Sequence, residues 1–432
     1  VIAIAWPDAS QHIFYTYQIE AATDPQPVAD AGEFGIIEVY WEAGAGWNTR
    51  KIQLAPGAFV QTDLATFIGV DLIPHLVYGG GSPTVLFGSG LDQGPQNIFD
   101  LSWNGEQWIS LQATANPVSL GGSLVAYATP NGQNHVIFAK SNLGNYPPGD
   151  VPSPKLAYFS WGNDSDGVFK TVNQMVDDAA VGLELGEIAE DGPLAAYANP
   201  DGGEWCFIPG VGYSDKELWA VNIYDSEVLS CVNVVDSAAC QPPARTSDLA
   251  AYSIWTRSPL TLRGMVPSST QHVFFTDEAL QIWEASTADG PNYTAINLSE
   301  KVGAESVWSP PGTVTPLSAL AGFVAYSYPS LRFPLQQPGL PAIDLLLSPT
   351  ITQWLFYVGQ DDDLHYISVD DNNLATGSLA AVNTTKPDVP PTALDAYTSP
   401  DGSWHVDYSG NGEIQEVYWL NGNPAPNTIA PG

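Results

Sequence analysis

The chain has 432 residues, 44% of them hydrophobic, and a formal net charge of −35 from 12 Lys and Arg against 47 Asp and Glu. So acidic a protein is repelled by nucleic acid and by anionic membranes, since both are bound through cationic side chains that displace counterions. Forty Gly and 36 Pro punctuate the whole chain, which predicts many short strands joined by turns and excludes a fold of long helices.

Taken in chain order, one plan keeps returning: a small-residue strand ending in an aromatic, a Pro-x-Gly-like turn, a second strand often opened by His, and a third alternating strand ending near Trp. It opens the chain as IAIAWPDASQHIFYTY from Ile2, with a third strand GIIEVYW ending at Trp41. A degraded copy runs from Pro74 through IFDLSW to Trp103. Clear copies start at Leu124 (LVAYATPNGQNHVIFAK) and Leu194 (LAAYANPDGGEWCFI). The plan is then broken over 241–259, a stretch carrying Trp255 and Arg257, and resumes at Met265 as MVPSSTQHVFFTDEALQIWEAS. The next copy starts at Phe323 (FVAYSYP), continues with QWLFYVG and LHYISV, and is interrupted over 327–352 by a Pro-rich apolar insert that either packs on the rim or forms a lid. The last copy starts at Leu394 (LDAYTSPDGSWHVDYSGNGEIQEVYW) and shows no clear fourth strand.

That makes seven copies, spaced by roughly 50 to 75 residues against about 40 to 50 for an ordinary propeller blade, with the excess in loops. A sheet apolar on both faces cannot bury itself, and radial stacking of such sheets solves the problem. An all-β fold is therefore expected, a β-propeller of about seven four-stranded blades forming a single domain over 1–432. Six blades would follow if the copy from Pro74 were not a true blade.

The three cysteines are Cys206, Cys231 and Cys240. Cys231 and Cys240 are close enough to suggest a disulfide, although spacing alone does not fix the pairing. Sequons at Asn163, Asn292, Asn297 and Asn383, few lysines, and a start at Val1 fit a mature glycoprotein, secreted or held in the secretory lumen. His12, His135, His272 and His405 share one repeat position, as do Tyr127, Tyr197, Tyr326 and Tyr397, and a position filled repeatedly is architectural. No phosphate loop, nucleophile elbow or zinc motif occurs. The run Asp361, Asp362 and Asp363 reads as a solvated turn.

The Pro-Asp-Gly turn, the QHVFF strand and the Glu-containing third strand together resemble the fungal fucose-specific lectin propellers over most of the chain. That resemblance implies sugar sites built from an Arg of a second strand, a Glu of a third strand and an aromatic. The Glu position is kept at Glu38, Glu284 and Glu416, but no second strand carries an arginine, which leaves the Glu without its charged partner. The departure, with the size, sequons and apolar inserts, is similar in character to the intermolecular hetero-Diels–Alderases of tropolone–sesquiterpene biosynthesis.

That second resemblance implies a cofactor-free cycloaddition between a tropolonic o-quinone methide and a humulene-type hydrocarbon. Such a step needs orientation, a dry pocket and one hydrogen-bond donor, and no metal. The residues that break the repeat are its candidates: Arg257, Arg263 and Arg332 for the tropolone oxygens, and Trp255, Trp283, Tyr328 and Phe333 for the apolar wall. The alternative is a secreted glycan-binding protein with altered sugar sites. Apolar small molecules or glycans are the expected partners in the two cases.

Overall fold

The computed structural model describes residues 2–18, 34–42, 45–54, 58–81, 96–113, 123–140, 155–162, 165–171, 192–210, 217–225, 227–244, 247–256, 268–288, 290–303, 307, 320–327, 330–333, 343–346, 350–360, 363–370, 374–378, 393–399, 402–410, 413–420 and 423–429. They form seven four-stranded antiparallel sheets arranged as a seven-bladed β-propeller. Blade 1 holds β1 (Ile2–Ala5), β2 (Gln11–Gln18), β3 (Phe34–Glu42) and β4 (Gly46–Ile52). Blade 2 holds β5 (Phe59–Ile68), β6 (Pro74–Gly81), β7 (Gln96–Trp103) and β8 (Trp108–Gln112). Blade 3 holds β9 (Leu124–Ala128), β10 (Gln133–Lys140), β11 (Lys155–Gly162) and β12 (Ser165–Thr171). Blade 4 holds β13 (Ala195–Ala198), β14 (Glu204–Pro209), β15 (Leu218–Tyr224) and β16 (Glu227–Asn233), followed by the one-turn helix α1 (Val234–Ala238). Blade 5 holds β17 (Ala250–Thr256), β18 (Ser268–Thr276), β19 (Ile282–Thr287) and β20 (Thr294–Asn297), followed by α2 (Leu298–Val302). Blade 6 holds β21 (Leu320–Ser327), β24 (Thr350–Val358), β25 (Leu364–Asp370) and β26 (Leu374–Ser378), and blade 7 holds β27 (Ala393–Thr398), β28 (Trp404–Gly410), β29 (Glu413–Leu420) and β30 (Asn423–Ile429).

Several boundaries differ from the sequence expectation. The copy from Pro74 begins at a second strand. Its first strand is β5, whose Gln, Thr and Asp residues break the small-apolar pattern. The stretch 241–259 is not wholly a break, because β17 within it is the first strand of blade 5. The last blade does have its fourth strand, β30. Its two prolines sit on an outer edge, where a strand can lack the N–H groups of a ladder. The insert of blade 6 contributes a separate ribbon, β22 (Ser330–Phe333) paired with β23 (Ile343–Leu346).

Neighbouring blades are glued by apolar faces in contact. Between blades 2 and 3, for example, Val77, Ile98, Val136 and Phe138 are fully buried together. No blade shares a strand with its neighbour, and only blade 6 is interrupted, by β22 and β23, so among the described residues the ring closes by face packing and not by a shared sheet. At the closure, Ala3, Ile13 and Val39 of blade 1 meet Ile414 of blade 7, and the Ala3 N–H donates to Asp395 Oδ2 at 2.6 Å. The seven first strands surround the axis and line a cavity of about 610 Å³, into which Asp63, Asp248 and Asp395 project among Ala and Leu side chains. Burial pushes Asp248 up to about 7 and Asp395 up to about 6.

The first hairpin of a blade uses one turn again and again. In Trp6–Ser10, Gly69–Ile73, Thr129–Gln133, Asn199–Gly203 and Ser399–Ser403, two backbone hydrogen bonds close the loop. The fourth residue takes a left-handed conformation, as Gly132 (φ 88°), Gly202 and Gly402 do, while Ala9 (φ 67°) and Leu72 (φ 64°) hold it against the steric preference of an L-residue.

The expected disulfide is absent: Cys206, Cys231 and Cys240 are all free. Cys231 lies on the face of blade 4 toward blade 3, whereas Cys240 packs in the core on the opposite side, toward blade 5. Cys206 and Cys231 both pair with Val221, so they are two strands apart, about 9.6 Å, beyond disulfide reach.

Candidate functional site

The shared histidines explain much of the buried polar chemistry. His12, His75, His272 and His405 stand on second strands, and each meets a third-strand acid through Nδ1: Glu38 at 2.6 Å, Asp100 at 2.9 Å, Glu284 at 2.7 Å and Glu416 at 2.7 Å. His75 is thus a fifth member of the set that the sequence showed as four. In three of these the other nitrogen, Nε2, meets a hydroxyl: Ser10 at 2.8 Å, Thr270 at 2.9 Å and Ser403 at 2.6 Å. A carboxylate only accepts, so Nδ1 donates to it, and Nε2 is left to share a hydrogen bond with the hydroxyl.

The arrangement superficially matches a Ser-His-Glu nucleophile triad. It is repeated, buried, and in blade 1 the Ser10 hydroxyl also lies 2.6 Å from Asp8 Oδ1. It therefore braces the first hairpin against the third strand. Blade 3 varies the theme. Tyr158 stands where the acid would be and bonds His135 Nδ1 at 2.5 Å, while Glu204 enters from blade 4 and accepts from Tyr127 Oη at 2.7 Å. Burial raises Glu204 to about 7 and lowers His135 to about 4.

One brace is developed into something more. In the hairpin of β3 and β4, Glu38 pairs directly with Arg50. The Arg50 guanidinium grips both Glu38 oxygens, Nη2 at 2.9 Å from Oε1 and Nε on Oε2, and Trp108 Nε1 of blade 2 donates to Oε2 at 2.8 Å. The guanidinium also lies over two rings, 4.1 Å from the Trp103 centroid and 4.5 Å from that of Tyr40. Behind them Trp6 stacks on His12 at 3.4 Å and meets Trp108 edge-on. Burial acts to raise Glu38, but hydrogen bonds from His12 and Arg50 outweigh it and hold the carboxyl below its usual range. Burial also dominates at His12, whose basicity is lowered.

The result is a rim crevice between blades 1 and 2. Its floor, Glu38 and Trp6, is buried, and its walls, Tyr40, Trp103, Trp108 and Arg50, are part-exposed, with the Arg50 side chain 27% accessible. Two guanidinium N–H groups serve Glu38, and among the described residues the other three meet no hydrogen-bond partner. The crevice therefore offers an ionised acceptor, a forked donor and aromatic faces side by side. Sequence reasoning looked for arginine on second strands and missed this one on a fourth strand.

The sequence-derived candidates do not converge here. Arg257, Arg263 and Tyr328 lie outside the described residues, as do the side chains of Trp255, Arg332 and Phe333, whose backbones are in β17 and β22. Trp283 donates to Asp277 at 2.8 Å and packs against the core between blades 4 and 5, which is a blade-packing role. Of the sequons, Asn292 is exposed, Asn297 caps α2 by accepting the Glu300 N–H at 2.9 Å, and Asn163 and Asn383 lie outside the described residues. Among the described residues no group of three or more His, Cys, Asp or Glu is placed to hold a metal ion, and no helix is long and apolar enough to cross a membrane.

No family model matches the chain and no curated protein matches it. Solved structures do. The BP39L lectin of Burkholderia pseudomallei is similar over 99% of this chain and 98% of its own, at 14% identity and a TM-score of 0.58. AofleA of Arthrobotrys oligospora (10% identity, TM-score 0.46, 87% of this chain and 88% of its own) and the fucose-specific lectin of Aleuria aurantia (10%, 0.44, 88% and 97%) are also similar. At such identity the BP39L likeness shows the fold, a β-propeller, and not the ligand.

Proposed function

We propose that this propeller is a glycan-binding protein whose sugar site is the crevice between blades 1 and 2. One observation carries the reading: the Arg50 guanidinium is held between Tyr40 and Trp103 and locked on buried Glu38, with its side chain still part-exposed. Vicinal sugar hydroxyls suit this arrangement, accepting from the guanidinium fork while the apolar face of the ring stacks on an aromatic wall. The lectin propellers it resembles include ones solved with fucosides, and fucosides are the first sugars to try.

The cycloaddition reading finds no comparable support. The axial cavity presents three carboxyl groups and no cationic side chain among its lining residues, the reverse of what an acidic tropolone requires.

A glycan array probed with the whole protein and with Arg50→Ala tests the proposal. Binding of a defined sugar class that Arg50→Ala abolishes is the expected result. An empty array, or binding that Arg50→Ala leaves intact, overturns it.

A further inference from the structure

The crevice sets an ionised acceptor beside a forked donor, and their hydrogen bonds decide which of the two a ligand can use. A carboxylate has two oxygens and about four lone-pair sites. Glu38 fills all of them within the protein. Its Oε1 accepts from His12 Nδ1 at 2.6 Å and from Arg50 Nη2 at 2.9 Å, and its Oε2 accepts from Arg50 Nε and from Trp108 Nε1 at 2.8 Å. The residue is also fully buried. A ligand hydroxyl therefore finds no vacant acceptor on Glu38. The acid orients Arg50 and does not itself touch the sugar.

Arg50 is open to a ligand at one edge. Its faces lie against Tyr40 and Trp103, 4.5 Å and 4.1 Å from the ring centroids. A planar guanidinium presents two forked edges, Nε with Nη2 and Nη1 with Nη2. Glu38 occupies the first. The second meets no hydrogen-bond partner among the described residues, and the side chain is 27% accessible. Polar recognition here is a cationic two-donor edge between aromatic plates, with no acceptor beside it.

A neutral diol suits such an edge poorly, because each hydroxyl that accepts from it leaves its own proton without a partner at this site. A carboxylate suits it well. It brings two coplanar acceptors, no proton and the opposite charge, and charge-assisted bonds of this kind are roughly twice as strong as neutral ones. Its planarity continues the plane of the guanidinium between the two rings. The net charge of −35 opposes an anion at long range, but salt screens that repulsion beyond about 8 Å at physiological ionic strength.

We infer that the crevice selects an acidic sugar, whose carboxylate pairs with the Nη1–Nη2 edge of Arg50 while its ring lies against the aromatic wall. This inference rests on the glycan-binding reading and narrows it to sugars of the uronic-acid or sialic-acid class. Neutral sugars, fucosides included, bind more weakly.

Titration calorimetry with matched pairs tests it. Methyl glucuronoside, methyl galacturonoside and the methyl glycoside of N-acetylneuraminic acid are each compared with their own neutral methyl ester, and methyl α-L-fucoside serves as a neutral reference. At least one acid should bind about tenfold more tightly than its ester and than the fucoside, and Arg50→Ala should abolish that binding. The comparison of acid with ester uses the unaltered protein, so it does not depend on how the variant folds. Neutral sugars that bind as tightly as the acids, through a site that Arg50→Ala abolishes, overturn the inference and leave the glycan reading standing. Binding that Arg50→Ala leaves intact, or no binding of any sugar, overturns both.

Discussion

The seam between blades 1 and 2 and the seam that closes the ring between blades 7 and 1 start from the same brace and end in opposite electrostatics. In the first, one buried carboxylate is surrounded by donors: Arg50, His12 and Trp108. In the second, three carboxyl groups stand in a row across blade 7, with Asp395 paired to Asp407 and Asp407 to Glu416. Asp395 accepts the backbone N–H groups of Ala3 and Ala396, and Glu416 bonds His405. Asp407 is fully buried and, among the described residues, only the neighbouring Tyr397 phenol stands close to its carboxyl. The equivalent residue in blades 1, 2, 3 and 5 is Phe14, Val77, Ile137 and Phe274. Trp47 repeats the contrast, since its Nε1 is buried without a partner where Trp108 Nε1 reaches Glu38. A shared scaffold thus tolerates either a carboxylate ringed by donors or a buried carboxyl, Asp407, that burial makes harder to ionise.

Replacing the odd residue should have the largest effect. Asp407→Ile restores what other blades carry, and exchanging an unsatisfied buried carboxyl for a packed side chain is expected to stabilise by about 1–4 kcal/mol near neutral pH. The pH dependence follows with its sign. Burial, with the charges of Glu416 and Asp395 adding to it, pushes Asp407 well up, and burial pushes Asp395 to about 6. A carboxyl raised by folding contributes its stability below the ordinary carboxylate range and loses it as pH climbs through the folded value. Thermal melts of the unaltered protein should therefore fall between pH 5 and pH 8. Asp407→Ile should shrink that fall without abolishing it, because Glu204 and Asp248, each near 7, lose stability in the same direction. A melting temperature flat across this range would contradict the raised carboxyls of Asp407 and Asp395.

A smaller effect tests the other seam. Arg50→Lys keeps the charge but loses the fork and the stacking, so sugar affinity should drop at least 30-fold, about 2 kcal/mol. Calorimetry showing affinity within threefold would mean that charge alone matters there. The smallest effect lies outside both seams and calibrates them. Leu72→Gly relieves a left-handed residue in an exposed turn and should stabilise by about 0.5–1 kcal/mol, read as a small rise in denaturant midpoint with unchanged binding.

Much of the fold was legible because a blade is a local object. Alternation, Pro-x-Gly turns and the repeated His disclosed the second strand of every blade and the third strands of blades 1, 2, 5, 6 and 7, but not those of blades 3 and 4. First strands were harder. β5 has polar residues facing the axis, and β17 sits inside an apparent break, because a first strand is covered by its neighbours whatever its own pattern. The site was legible only in part. Glu38 emerged from the repeat, while Arg50 was missed because a fourth strand is an edge with little hydrophobic signature. Yet Arg50 lay within reach: a hairpin closing between Glu42 and Gly46 puts residue 50 opposite residue 38 by simple counting. The disulfide expectation failed for the converse reason, since nine residues of sequence separate two cysteines that a blade holds on opposite faces.

By itself the sequence determined an acidic, repetitive, all-β chain of about seven sheet units, because composition and period-two patterning act within a strand and its turns. Only the tertiary structure decided which repeats are chemically complete. The crevice takes Glu38, Tyr40 and Arg50 from one blade and Trp103 and Trp108 from the next, and the ring must close before Asp395 and Ala3, 392 positions apart, can meet. Side chains on facing blades become neighbours through packing, and no spacing along the chain encodes that distance.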